Sequence, residues 1–204
     1  MTCAKCLPCL LRVVKESNLS DEDKIAALRK MSWDFTDNLF LTILGEFDAK
    51  TMTLLTYALK EIVLESQGCF DEKQMKEITE NFIRGLQDSD ERKQANIKNN
   101  DDPTYDDHDK KMFKEENEME DEFCCALGEF AGALFKTHKE LSAPLAVLLY
   151  KEVLPKVLGE KASYRMNKFG LIVIDGMIEH LGFGMLKDEW EHLAEALFRF
   201  ADHK

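Results

Sequence analysis

Apolar residues recur along the chain at three- and four-residue intervals, the spacing that lines one face of an α-helix. Leu54, Leu55, Ala58, Leu59, Ile62 and Val63 form one such face, and Phe123, Leu127, Phe130, Ala131 and Leu134 another. Ile174, Met177, Ile178 and Leu181 repeat the pattern, as do Leu193, Leu197, Phe200 and Ala201. No segment shows the strict alternation of a half-buried strand.

Start and stop signals divide the chain into about eight helices. The first spans about residues 2–16, with Pro8 either kinking it or marking a later start. Ser20, with Asp23 in the capping-box position, opens the second at about 21–46. Asp48 caps a third over about 49–67, and Asp71 opens a fourth that runs toward 97. The polar run Asn99-Asn100-Asp101-Asp102-Pro103 is a break, followed by a fifth helix over about 104–139. Ser142 caps a sixth, with Pro144 in its first turn and Gly159 at its end. A seventh covers about 161–181 and an eighth about 185–203.

Long helices joined by short connections pack as antiparallel hairpins. Alternate helix starts at Ser20, Asp71, Ser142 and about Met185 are spaced 51, 71 and 43 residues apart. Two of these spacings lie near the period of roughly 40–47 residues expected of stacked helical hairpins. The expected architecture is therefore all-α, an α-α superhelix of about three and a half hairpins. A compact helical bundle is the alternative.

Composition adds constraints. The chain has 204 residues, four prolines and ten glycines, few for an all-β protein. Its net charge of −12 argues against a nucleic-acid backbone as partner and favours basic ones. No apolar run approaches the roughly 20 residues needed to cross a membrane, and no secretory signal is read. Six scattered cysteines form no disulfide framework and imply reduced thiols in a cytoplasmic or nuclear protein.

Cys3, Cys6 and Cys9 raise the question of a metal site. An iron–sulfur cluster needs a fourth thiolate, typically three residues on, where this chain has Arg12. A structural zinc site also needs four ligands. The three thiols lie on one helical stripe and read as small packing residues. Glu189-x-x-His192 is half of a di-iron motif without its other half. No calcium loop, nucleophile elbow or phosphate loop occurs, so no catalytic, cofactor or metal site is assigned.

The segment E-V-L-P-K-V-L-G-E-K-A-S-Y-R-M-N-K-F-G-L-I-V-I-D-G-M-I-E-H-L-G, residues 152–182, resembles a HEAT repeat. Within it, K-F-G-L-I-V-I-D-G-M-I-E-H (168–180) is similar to a repeat of the importin-β (karyopherin-β) nuclear transport receptors, nearest to the importin beta-3 branch. The likeness extends through 127–158, D-x-x-Y-D-D (102–107) and G-C-F-D-E-K-Q-M-K-E-I (68–78), and reaches S-D-E-D-K (20–24) and C-L-P-C-L-L (6–11). Phe169 stands where this branch tends to carry Trp, and Gly176 where a second acid is common.

The resemblance implies that residues 1–204 are an interior section of a longer HEAT array, a scaffold and not an enzyme. It implies basic cargo proteins with nuclear import signals and Ran GTPase as partners, nucleoporins as a further class, and residence in cytoplasm and nucleus. The competing reading is a self-contained helical bundle, with a metal-dependent enzyme as one form of it.

Residues 88–122 hold 14 acids against six Lys or Arg. With few apolar residues to pack it, this acidic helical insertion is expected to project from the array. It reads either as a solvated, solubilising segment or as a surface for basic cargo. Its candidate contact residues are Asp101, Asp102, Asp106, Asp107, Glu115 and Glu116. Asp175 and Glu179, four apart on the seventh helix, would lie on the cargo- or Ran-binding face; a structural hydrogen-bonding role for Asp175 is favoured. Trp33 and Trp190 read as packing residues. Gly128 and Gly132 would allow close helix approach.

Overall fold

A computed structural model of the chain describes residues 4–159 and 162–182, together with positions 184, 191, 194 and 198. Most of the expected eighth helix, with Cys3, Glu189, Trp190 and His192, lies outside the described residues. A short 3-10 turn, Ala4–Cys6, leads into α1 (Leu7–Glu16). Then come α2 (Asp21–Gly45), α3 (Ala49–Ser66), α4 (Glu72–Asp101) and α5 (Asp107–Leu148). A π-helical turn, Leu149–Val153, precedes α6 (Leu154–Val157), and α7 spans Tyr164–Leu181.

Local chemistry sets these boundaries. Pro8 lies in the first turn of α1, so the helix starts later than expected. Ser20 accepts from Asp23 N at 3.2 Å, and Asp48 from Thr51 N at 3.0 Å. Asp71 and Gln74 complete a reciprocal capping box. Ser163 caps α7 by accepting from Met166 N at 3.1 Å, so that helix begins three residues later than about 161.

Ser142 behaves differently from its expected cap role. Helical structure continues through it, and its buried hydroxyl donates to Lys139 O at 2.7 Å. The break falls at Lys139, with φ 20° and ψ −98°. Pro144 sits five residues beyond that break, and Pro155 follows the π turn, whose wider ring accommodates a position without an N–H.

The elements form a helical-repeat array with no strand among the described residues. α3 packs between α1 and α5, and α5 between α3 and α7, giving a layer of second helices. The first helices α2 and α4 pack against one another behind it. Phe40, Phe82 and Phe130, from α2, α4 and α5, meet at 5.6 and 6.3 Å between ring centroids and tie neighbouring hairpins together. Trp33 packs edge-on to Phe70 at 6.4 Å, the packing role expected of it.

The α5–α7 contact depends on glycine. A Cβ at Gly176 would stand 3.1 Å from the Gly132 Cα, and one at Gly128 3.0 Å from the Phe169 ring. Gly176→Leu should therefore lower unfolding free energy by about 2–3 kcal/mol. Gly45→Ala, at a helix end with open space around it, should stabilise by up to about 1 kcal/mol. Urea unfolding followed by circular dichroism checks both.

The bend beside Lys139 holds a buried histidine. Phe70 N donates to His138 Nε2 at 3.3 Å, so the ring proton sits on Nδ1 and donates to Thr137 Oγ1 at 2.7 Å. The ring stacks on Phe70 at 4.9 Å, and burial pushes its pKa from 6.5 down to about 4. The folded chain thus binds this proton less readily than the unfolded chain. Its stabilisation is complete above about pH 6.5 and is lost as pH falls toward 4. Between pH 7 and 4.5 the wild type should lose about 2 kcal/mol more than His138→Gln. Equal losses in urea titrations at the two pH values would rule this out.

Candidate interaction surface

The acidic stretch divides into two parts that the residue types alone do not separate. α4 and α5 run antiparallel, and three cross-links join them at one level. Arg92 holds Glu120 through both ends of its guanidinium, Lys93 Nζ lies 3.1 Å from Asp121 Oδ1, and Asn96 Nδ2 donates to Asn117 Oδ1 at 3.1 Å. Glu120 and Asp121 are buried. The Arg92 guanidinium also reaches Met52 Sδ of α3, at 3.6 Å. Ser163 Oγ donates to Asp121 Oδ2 at 2.6 Å, so the cap of α7 belongs to the same network. Arg165 of α7 adds contacts to Glu118 and Glu122 at 3.2 and 3.7 Å.

Beyond this level, among the described residues, the hydrogen bonds, ion pairs and ring contacts stay within α4, α5 and their loop. From Asn117 to Asp107, α5 extends about 15 Å at 1.5 Å per residue. The loop at its end is self-supporting. Asp102 Oδ1 accepts from the Thr104 amide and hydroxyl at 2.8 and 2.7 Å, and these bonds hold its pKa below the usual carboxylate value. Asp106 caps α5 by accepting from Asp109 N and His108 N at 2.9 and 2.8 Å, with the same effect on its pKa. Tyr105 packs edge-on to Phe113 at 5.1 Å.

The structure therefore gives the candidate residues different work. Asp102 and Asp106 build the turn. Asp101, Asp107 and Glu116 are exposed, and no hydrogen bond or ion pair engages their side chains among the described residues. Glu115 makes only an exposed contact with Lys111, at 3.6 Å. Asp175 and Glu179 are exposed on α7, away from the arm formed by α4 and α5. Asp175 makes no hydrogen bond or ion pair among the described residues. Glu179 lies 3.8 Å from His180 Nε2.

Reasoning from the sequence missed Arg92, Lys93, Glu120, Asp121 and Ser163. The available signal was a pair of adjacent cations and a run of three acids, Glu120-Asp121-Glu122, directly preceding the apolar run from Phe123.

Two adjoining clefts of about 200 and 580 Å³ open beside the base of the arm. They share Asp90, Lys93, Lys156, Val157 and Met166, and the smaller has an apolar floor that includes Ile83, Leu86, Leu148 and Val153. The cysteines form no metal site among the described residues. Cys6 and Cys9 are exposed, while Pro8 and Leu11 form the buried face of α1, so the expected packing role of these thiols does not hold. Cys124 is buried beside Ser89, and burial pushes its thiol up to about 11.

Stacked helical hairpins with a cross-linked, acidic arm define a repeat scaffold that presents charge at a distance from its core. The sequence model of the family Importin repeat 6 matches residues 52–154, half of the chain and the whole of that arm. The chain belongs to this family, and with it to the importin-β group. That family is one of transport-receptor scaffolds and not of enzymes. A comparison with curated proteins gives no match. No helix among the described residues is long and apolar enough to cross a membrane.

The network at the base of the arm predicts a contrast. Glu120→Gln leaves the part-buried Arg92 cation unpaired and should cost about 2–3 kcal/mol of stability. Glu115→Gln, which removes only an exposed pair, should change it by less than about 0.5 kcal/mol. Equal effects in urea unfolding would show that Arg92–Glu120 holds nothing in place.

Proposed function

We propose that the chain is a section of a nuclear import receptor, nearest to the importin beta-3 branch, whose acidic arm holds the basic import signals of cargo proteins. What carries this reading is the coincidence of an importin-repeat sequence with exposed, unpaired carboxylates on an arm braced at its base. Asp101, at the C-terminal end of α4, opposes the helix dipole and so adds nothing to helix stability. Single exposed ion pairs are worth about 0–1 kcal/mol, so binding would rest on several at once and weaken with salt.

The resemblance adds Ran GTPase as the partner whose GTP-bound form releases cargo, through the different curvature of the array in its two bound states. It adds nucleoporins as well, for whose apolar side chains the cleft floored by Ile83, Leu86, Leu148 and Val153 is the available site. Both partners place the protein in cytoplasm and nucleus.

A fluorescent Lys-rich import-signal peptide titrated at about 50 and 150 mM salt tests the central claim. Neutralising Asp101, Asp107, Glu115 and Glu116 together should weaken binding at least about tenfold at low salt. Asp175→Asn with Glu179→Gln should leave it unchanged. The reverse pattern would move the site to α7, and the absence of saturable binding would overturn the reading.

A further inference from the structure

The exposed thiols of α1 lie apart from the acidic arm. Cys6-Leu7-Pro8-Cys9 is a C-x-x-C pair in which Cys6 is the N-cap of α1 and Cys9 its third residue. Cys6 also closes the 3-10 turn Ala4–Cys6, and its φ of −86° and ψ of −18° keep the backbone helical through the pair. Pro8 and Leu11 are buried, so α1 is seated by its other side while both thiols stay open to solvent. Residues three apart on a helix hold their Cβ atoms about 5–6 Å apart, and a disulfide needs about 3.5–4.5 Å. Closure therefore asks for about 1–2 Å of movement. The first turn can yield that, because its N–H groups lack intrahelical partners and Pro8 has no N–H to lose. The setting is also basic, in a chain that is acidic elsewhere. Lys5 is exposed beside Cys6, and the Arg12 guanidinium, one turn beyond Cys9, is close enough to interact with it electrostatically. Glu65 of α3 holds both Arg12 and Lys15, at 2.6 and 2.9 Å, so that trio keeps a net positive charge.

We propose that Cys6 and Cys9 are a reversible redox pair, oxidised to an intramolecular disulfide by an anionic small-molecule disulfide of the glutathione class. Arg12 attracts a glutathione carboxylate and brings the oxidant to Cys9. The Cys9 thiolate attacks one sulfur of glutathione disulfide, forming a mixed disulfide and expelling one glutathione thiolate. Cys6, its proton lost to solvent, then attacks the Cys9 sulfur and expels the second glutathione thiolate. Both leaving thiolates take up protons from water, so the cysteine pair is oxidised by two electrons and the glutathione disulfide is reduced to two thiols. A bond that must pull its Cβ atoms together stores strain and is reduced readily, which marks a labile switch and not a structural cross-link. The helical-repeat fold gives the pair no substrate cleft, so it is a modification site and not an oxidoreductase centre. The proposal is independent of the acidic-arm reading.

The test equilibrates the full chain with mixtures of reduced and oxidised glutathione at neutral pH, quenches with acid, alkylates the remaining thiols and maps them by mass spectrometry. A Cys6–Cys9 bond should form as oxidised glutathione increases and disappear when reduced glutathione is restored. Buried Cys124 and Cys125 should stay alkylated throughout. Cys6→Ser should stop the sequence at its first step, with at least about tenfold more glutathione held on Cys9 than in the wild type. Arg12→Gln should slow the loss of the Cys9 thiol at low salt and change it little at high salt. Cys3→Ser and Cys69→Ser should leave the bond unchanged, and circular dichroism should show all four variants as helical as the wild type. Glutathione accumulating on Cys6 and Cys9 of the wild type without a bond between them would overturn the proposal. So would a bond that instead joins either one to Cys3 or Cys69, or two thiols that stay reduced in pure oxidised glutathione.

Discussion

The described structure turns on the pairing of Arg92 with Glu120 and of Lys93 with Asp121. These four charges lie where the apolar core ends and the arm begins, and each is at least partly withdrawn from water. A charge in such a place is tolerated only with a partner. Both cations come from α4 and both acids from α5, so satisfying the charges fixes the register of the two helices. Asp121 then accepts from Ser163, and Arg92 touches Met52, so the same junction also positions α7 and α3. Four elements are referenced to one ionic cluster.

That cluster changes the meaning of the acidity above it. Acids at the base are spent on structure, and so are the two that build the turn, Asp102 and Asp106. Above the base, Asp101, Asp107 and Glu116 are exposed and outside any hydrogen bond or ion pair among the described residues, on helices that cannot slide past one another. The number of acids counted over the whole stretch overstates the ligand-facing carboxylates, because Glu120 and Asp121 are paired at the base, while the net charge is unchanged by those neutral pairs. A preorganised set of few carboxylates loses less conformational entropy on binding than a flexible acidic tail with the same count.

The class of fold was legible because periodicity survives in the apolar faces of α3, α5 and α7, and because Ser20, Asp48, Asp71 and Gly182 punctuate them with ordinary capping chemistry. The bend at Lys139 was legible in place and not in cause. Ser142 is a good cap residue by type, yet its hydroxyl turns to the Lys139 carbonyl inside a continuing helix. The candidate site was legible only as a region. Glu116 and Glu120 are the same residue type four positions apart, and only the arrival of Arg92 from α4 makes one structural and the other available. Cys6 and Cys9 show the converse: they were read as packing residues on one helical stripe, but they are exposed and the buried positions of α1 are Pro8 and Leu11.

Glycine and charge act at opposite ends of α5 to reconcile a repeat array with a projecting arm. In the lower half, Gly128 and Gly176 let α7 approach so closely that a Cβ at Gly176 would stand against the Gly132 backbone, whereas a Cβ at Gly132 itself would meet nothing. In the upper half no such neighbour exists, and the helix is held by ion pairs and by Asn96–Asn117 instead. Close packing is insensitive to salt, whereas an exposed acidic tip is sensitive to it. A scaffold built this way keeps its fold through changes of ionic environment while the affinity of its tip is free to vary. On the proposed reading that separation suits a receptor, because weak, salt-sensitive contacts release a ligand without unfolding what holds it.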